Sequence, residues 1–169
     1  YVFGGAGDET DKIYRYNLGS GEWSILPGTM PVTLSQAGIT VADNDIIIAG
    51  GMTSTGQASR EVHVFNVQSL DWRRLPSIPL GLIAPALGVL SDGVHVVGGY
   101  SNEPLKTHSR HYLLASKARK WQDIEPLPEA RHHAGYAVVD DQLIVMGGAV
   151  GSGFFAPFTA TDTVYIFKP

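Results

Sequence analysis

The stretch whose side chains are best suited to binding or catalysis is Arg131-His132-His133, which directly follows the Pro-rich segment EPLPEA. A guanidinium group donates in a planar fork that matches a carboxylate, so Arg131 is a candidate anchor for an acidic group. A structural pairing with the nearby Glu129 is the alternative role. Successive side chains on a strand point to opposite faces, which argues against the two His residues as ligands of one metal ion. We therefore predict binding chemistry here rather than a metal centre.

Two further groups of residues are candidates for recognition. Arg60 and Arg110 each end a polar loop, while Phe154 and Phe155 lie in the longest loop of the chain. The arginines are candidates to bind a carboxylate ligand; the alternative is that they are solvated loop charges. The phenylalanines form either a plug packed over neighbouring loops or a recognition patch.

Catalytic motifs are absent from the sequence. There are no Cys residues, which removes thiolate nucleophiles, disulfides and thiolate metal ligands. The chain also lacks G-x-S-x-G, H-E-x-x-H, P-loop and dinucleotide-binding patterns. We predict no catalytic residue, no metal site and no cofactor from these residues.

Composition limits the classes of partner. The 169 residues are 44% hydrophobic and 17% charged, with a formal net charge of −4. This balance suits one globular domain and provides no basic field for nucleic acid or an anionic membrane. No segment approaches the roughly 18 continuous apolar residues of a membrane-spanning helix.

Gly-Gly pairs and Trp residues reveal an internal repeat. The first glycines of the pairs stand at 4, 50, 98 and 147, with spacings of 46, 48 and 49 residues. The three tryptophans, Trp23, Trp72 and Trp121, are spaced 49 residues apart. From the last proline of each Pro-rich segment to the next glycine pair is 19 residues in every case. A fixed period of this size indicates a repeat architecture such as a propeller.

Each repeat contains four short apolar stretches, which we interpret as strands. The first is AGITV, ALGVL or GYAVV; the second runs into Gly-Gly; the third is the VHVFN-like piece; the fourth begins near the Trp. The second is apolar throughout, as expected of a strand covered on both faces. Its glycines permit positive φ or the close approach of a side chain. The chain opens in a second strand and ends in a third, which predicts a segment of a longer array.

The period, the apolar run into Gly-Gly and the Trp seven residues after an aromatic position resemble the kelch repeat. That aromatic position holds Tyr16, Phe65 and, as a departure, Leu114. The resemblance implies an all-β fold, namely a kelch-type β-propeller with four-stranded antiparallel blades and an incomplete ring. The expected division is a partial blade at 1–31, blades at 32–79 and 80–128, and a partial blade at 129–169.

The resemblance also implies where ligands bind. In this family, the loops from strand two to three and from strand four to the next strand one share one rim, where binding usually occurs. In some adaptor-type members an Arg at the position of Arg131 contacts acidic peptides, and we expect Arg60 and Arg110 to converge with it. We therefore predict a binding module for a protein or peptide, with an acidic segment favoured. The alternative is a carbohydrate-active propeller, such as a sialic-acid epimerase or mutarotase-like enzyme that takes a sugar.

Overall fold

Two complete four-stranded antiparallel sheets form the centre of the molecule. The structure is a computed structural model that describes the chain apart from the side chains of Phe154, Phe155 and Pro157. We call the complete sheets blades B and C. Blade B comprises β5 (Gly38–Ala42), β6 (Asp45–Ala49), β8 (Val62–Asn66) and β9 (Trp72–Leu75); blade C comprises β10 (Ala86–Leu90), β11 (Gly93–Val97), β14 (His111–Ala115) and β15 (Gln122–Asp123).

Three-stranded sheets flank this pair, and we call them blades A and D. Blade A comprises β1 (Val2–Phe3), β2 (Ile13–Asn17) and β3 (Glu22–Ile25); blade D comprises β16 (Gly135–Val139), β17 (Gln142–Met146) and β18 (Val164–Phe167). The first strands of blades B, C and D lie side by side, with β10 between β5 and β16. This confirms the expected all-β propeller architecture with an incomplete ring.

The loops contain structure that the repeat pattern did not predict. One two-stranded ribbon pairs β4 (Leu34–Ser35) with β7 (Met52–Thr53), and a second pairs β12 (Tyr100–Asn102) with β13 (Leu105–Thr107). A 3-10 helix occupies Gly153–Phe158. These elements escaped the sequence analysis because they are too short to show an apolar period.

The hydrophobic core lies between blades rather than within them. Ile13 of blade A packs with Ile48 and Phe65 of blade B in one buried cluster. Two further clusters lie between blades B and C and between blades C and D. The second strands contribute heavily to all three, which explains their continuous apolar sequence.

The Gly-Gly pairs mark the points where successive blades touch through their backbones. Gly50 has a φ of +66°, and a Cβ at this position would lie 2.4 Å from the carbonyl oxygen of Leu82 in blade C. The next residue, Gly51, donates its N–H to that same oxygen at 2.8 Å. Gly5 and Gly99 make the equivalent bonds to the following blade. The close approach is therefore made by a backbone carbonyl and not, as expected, by a side chain.

The tryptophans occupy equivalent places but unequal environments. Trp72 packs on the cluster between blades A and B, with its ring centroid 4.9 Å from that of Phe65. Trp121 packs between blades B and C and donates its indole N–H to the carbonyl oxygen of Pro76 at 2.7 Å. Trp23 pairs with Tyr16 in the same way, yet 60% of it is exposed.

Candidate functional site

The loops at one end of the blades form the candidate functional region. Strand connectivity requires the loops from strand two to three and from strand four to the next strand one to emerge at the same end of each antiparallel blade. We call this end the loop rim. It comprises residues 4–12, 26–37, 50–61, 76–85, 98–110, 124–134 and 147–163.

Arg131 enters blade D at a position that is buried in every repeat. Its carbonyl accepts the N–H of Gly99, just as those of Leu34 and Leu82 accept from their glycines. All three side chains are buried, and Arg131 is 1% exposed. The periodic frame therefore places a charged side chain where the other repeats place leucine.

The guanidinium of Arg131 is engaged within its own blade. It donates to the Gly147 carbonyl at 2.9 Å, to the Thr163 hydroxyl at 2.7 Å and to the Glu129 carboxylate at 3.3 Å. Its central carbon also lies 4.4 Å from the ring centroid of Tyr165. These contacts favour the structural pairing that sequence analysis offered as the alternative to ligand binding.

His132 and His133 lie together where the loops entering the first strands of blades B, C and D meet, a place that we call the channel mouth. His132 is buried and its Nδ1 lies 2.6 Å from Nδ1 of His133, while its Nε2 donates to the Gly151 carbonyl at 2.8 Å. His133 is exposed and contacts the side chain of Gln36 in blade B. Tyr100 packs against both rings. Burial, followed by the neighbouring His132, lowers the pKa of His133, so the ring of His133 is neutral at pH 7.

A ladder of backbone hydrogen bonds connects the three loops of the channel mouth. Ala84 donates its N–H to the Gln36 carbonyl at 2.8 Å, and His133 donates to the Ala84 carbonyl at 3.2 Å. Each of these residues has a φ between +51° and +54°. Below them, the Tyr136 hydroxyl bonds both the N–H and the carbonyl of Ile39. The mouth is thus a rigid, closely bonded structure.

The two other predicted arginines lie in separate blades. Arg60 is exposed and donates through Nε to the carbonyl of Ile78 at 2.8 Å within blade B. Arg110 is exposed and forms an ion pair with Asp123 within blade C. The described contacts do not bring these guanidinium groups together with that of Arg131. Phe154 and Phe155 lie outside the described side chains, and Phe158 in the same loop is 76% exposed.

A polar cleft, which we call the rim cleft, opens beside Arg110. It has a volume of about 550 Å³ and lies between the two rim loops of blade C. Its charged and polar lining includes Lys106, His108, Arg110 and Asp123, and Ile124 and Pro126 supply apolar surface. Both cations are exposed, and the exposed Arg110–Asp123 pair contributes less than about 1 kcal/mol, so an incoming carboxylate can compete for Arg110.

Hydrogen bonds define the state of His108 in this cleft. The Ser101 hydroxyl donates to the Pro104 carbonyl at 2.7 Å, so His108 Nε2 must donate to that hydroxyl oxygen, 2.9 Å away. Burial, then Lys106 and Arg110, lower the pKa of His108. His108 is therefore neutral at pH 7, with Nδ1 as an acceptor.

Sequence reasoning identified Arg110 but missed Lys106, His108 and Asp123. The available signal was the basic stretch KTHSR, which alternates charged or titratable residues with hydroxyl residues. Within the described residues, no group of three or more His, Asp or Glu side chains is placed to hold a metal ion. No helix in the described part of the chain has the length and apolar character needed to span a bilayer.

Sequence comparisons find kelch-repeat proteins among the relatives of this chain. The KLHDC2/KLHL20/DRC7 Kelch-repeats domain model matches residues 1–148. The Kelch-like protein terF of Aspergillus terreus is 29% identical over 150 residues, covering 82% of this chain and 32% of that protein. Beta-scruin of Limulus polyphemus is 26% identical over 178 residues, covering 96% of this chain and 19% of its own length.

A solved structure, that of YjhT, shows the same fold. It superposes with a TM-score of 0.82 at 16% sequence identity, covering 95% of this chain and 50% of that chain. The chain thus spans half or less of the length of each of these relatives.

Proposed function

Because the chain belongs to the kelch-repeat family, whose propellers generally serve in protein interaction, we propose that it binds an acidic protein segment in the rim cleft of blade C. The observation that carries this proposal is the placement of two exposed cations, Lys106 and Arg110, on the walls of a cavity of about 550 Å³ at the loop rim. A cavity of this volume accommodates a few side chains of an extended peptide.

The chemistry of the cleft favours a carboxylate beside an apolar side chain. Arg110 offers a planar fork, and Lys106 adds a second positive charge that is compact and mobile. Ile124 and Pro126 provide an apolar surface next to these cations. An incoming Glu or Asp would exchange with Asp123 on Arg110, while its neighbour packs on the apolar wall.

Arg131 stabilises blade D in this proposal and does not anchor the ligand. Its side chain is buried, and its hydrogen bonds hold Gly147 and Thr163 of blade D. Access of a ligand to that guanidinium would require breaking these bonds. The ligand-binding role that sequence analysis gave to Arg131 is therefore assigned in this proposal to Arg110.

The test is a binding titration with two capped decapeptides, one carrying three consecutive Glu residues between Gly and Ser residues and one carrying Gln in their place. The wild type should prefer the Glu peptide, and the preference should weaken with added salt. Arg110→Gln should reduce affinity for the Glu peptide about tenfold or more, as expected for a desolvated charge-assisted contact of roughly 1.5 to 3 kcal/mol.

Lys120→Gln is the matched control, because this exposed Lys lies between β14 and β15 at the opposite end of the blade. It should bind as the wild type does. Equal losses in both variants, or no preference for Glu over Gln, would show that the cleft is not the binding site. A parallel titration with N-acetylneuraminic acid tests the carbohydrate alternative. Chemical conversion of that sugar by the protein would establish the enzyme function.

A further inference from the structure

Two buried histidines form a continuous chain of hydrogen bonds in blade C. His95 Nε2 lies 2.7 Å from a carboxylate oxygen of Asp92, and His95 Nδ1 lies 2.9 Å from His111 Nε2. His111 Nδ1 then lies 3.1 Å from the carbonyl oxygen of Glu125. His95 is 0% exposed and His111 is 3% exposed, so water does not substitute for these partners.

The number of protons needed to satisfy this chain exceeds the number on two neutral rings. Both ends of the chain, a carboxylate and a carbonyl, accept hydrogen bonds only. The bond to Asp92, the bond between the rings and the bond to Glu125 each require an N–H. Two neutral imidazoles carry two such protons, so one of the three bonds is left without a hydrogen, either between two ring nitrogens or between a ring nitrogen and an oxygen. Three ring protons satisfy all three bonds and give the pair one positive charge.

Nearby carboxylates favour that charge, whereas burial opposes it. Asp92 is in contact, and the carboxylates of Asp123 and Asp141 also act electrostatically on the pair. Asp123 is paired with Arg110, and hydrogen bonds from Ser91 lower the pKa of Asp141, which also interacts with Lys168. Phe167 of blade D packs against both rings, with centroids 5.2 Å from His95 and 4.6 Å from His111. The rings of His111 and Phe167 are nearly perpendicular, at 82°.

The channel-mouth pair shows why the end groups matter. His132 donates to the Gly151 carbonyl and accepts from His133, whose Nε2 lies 2.8 Å from Oε1 of Gln36. An amide can present its NH₂ group to that nitrogen, since the two ends of an amide are interchangeable by a flip. Two protons therefore satisfy the channel-mouth pair, whereas Asp92 has no proton to offer His95.

We propose that His95 and His111 share a buried proton at neutral pH, and that this proton locks the Asp92 turn and the Glu125 segment to the centre of blade C. The folded pair then holds three ring protons. The charge is balanced by the Asp92 carboxylate, which is only partly exposed. The device makes the stability of this blade depend on pH in both directions.

The alkaline direction follows from the first proton. An unfolded His loses its proton near pH 6.5, whereas the folded pair keeps one proton above that value. Between those points the folded state binds more protons than the unfolded state, so the unfolding equilibrium constant rises by up to tenfold per pH unit as pH increases.

The acid direction follows from the second proton. Burial and the neighbouring His95 lower the pKa of His111 to about 4, so the folded pair resists a second charge. Below pH 6.5 the unfolded state binds more protons, and stability falls as pH decreases. The contribution of the pair is therefore greatest near pH 6.5. A neutral pair would give the acid limb alone.

The direct experiment is nitrogen-15 NMR of the imidazole rings at pH 7.5, which distinguishes protonated ring nitrogens from those with a lone pair. Three protonated nitrogens among the four of His95 and His111 are expected. Two protonated nitrogens would overturn the proposal.

The variant Asp92→Asn provides a second test that is independent of the wild-type proton count. An Asn side chain can donate to His95 Nε2, so two neutral rings then satisfy the whole chain. This variant should show two ring protons and lose the alkaline fall in stability. Asp43→Asn, in the equivalent exposed turn of blade B, is the control and should keep three protons on the pair. Retention of an alkaline limb in Asp92→Asn equal to that of the wild type would contradict the lock.

Discussion

Trp23 and Trp121 occupy the same place in the repeat, yet only one of them lies in an interface. Trp121 fills the space between blades B and C and donates to Pro76, whereas Trp23 rests on Tyr16 with 60% of its surface exposed. The repeat motif therefore determines where a residue sits within a blade. The neighbouring blade determines whether that residue is buried and how much it stabilises the fold.

The largest expected effect tests this difference directly. Trp121→Ala should lower the free energy of unfolding by about 3 kcal/mol, because it empties a large interblade site and removes a hydrogen bond. Trp23→Ala should lower it by less than about 1 kcal/mol, as for a surface substitution. Urea denaturation of both variants measures the two values. Equal losses would mean that burial between blades is not the source of stability.

The glycine pairs give a second comparison between equivalent positions. Gly50 and Gly147 both have a φ above +60°, but a Cβ on Gly50 would lie 2.4 Å from a carbonyl oxygen and one on Gly147 3.4 Å from its nearest neighbour. Ala at either position meets backbone strain of about 1 to 2 kcal/mol. Gly50→Ala should exceed Gly147→Ala by more than about 1 kcal/mol because of the added clash. Thermal unfolding of the pair measures the difference, and identical midpoints would assign the whole effect to φ.

Arg131 and Glu129 provide the smallest contrast, between a buried and an exposed partner of one ion pair. Arg131→Ala should cost about 2 kcal/mol, since it leaves buried acceptors of blade D without donors. Glu129→Ala should cost less than about 1 kcal/mol, because its carboxylate is 49% exposed and the other bonds of Arg131 remain. Chemical denaturation at low and high salt separates the two. A Glu129→Ala loss as large as that of Arg131→Ala would place the ion pair, rather than the neutral acceptors, at the centre of this network.

The sequence was sufficient to predict the blades but not the hydrogen bonds between polar side chains. Periodic Gly-Gly and Trp positions predicted four antiparallel sheets because a fixed period requires each repeat to form the same structural unit. His95 and His111 are 16 residues apart, and their contact depends on a strand register that pairs His95 with Leu113 and Val97 with His111. The repeat pattern therefore could not predict the contact between His95 and His111.

In the candidate site, too, blade positions were predictable from the sequence and side-chain contacts in the loops were not. The charge of Arg131 suggested a ligand-binding role, whereas the structure buries it at the position that Leu34 and Leu82 occupy in the other repeats. The rim cleft was not predictable, because Lys106 and Arg110 meet Asp123 only through the conformation of two loops. Side-chain chemistry in loops depends on these local geometries, whereas the blade positions repeat.

The most direct test of the account is amide NMR mapping of the acidic decapeptide on the wild-type protein, with the Gln peptide as reference. If the rim cleft binds the acidic peptide, the largest changes in amide chemical shift will fall at residues 106–110 and 123–126. These changes will be absent with the Gln peptide. Changes centred on residues 131–133 and on Gln36 would instead place binding at the channel mouth and contradict the assignment to the rim cleft.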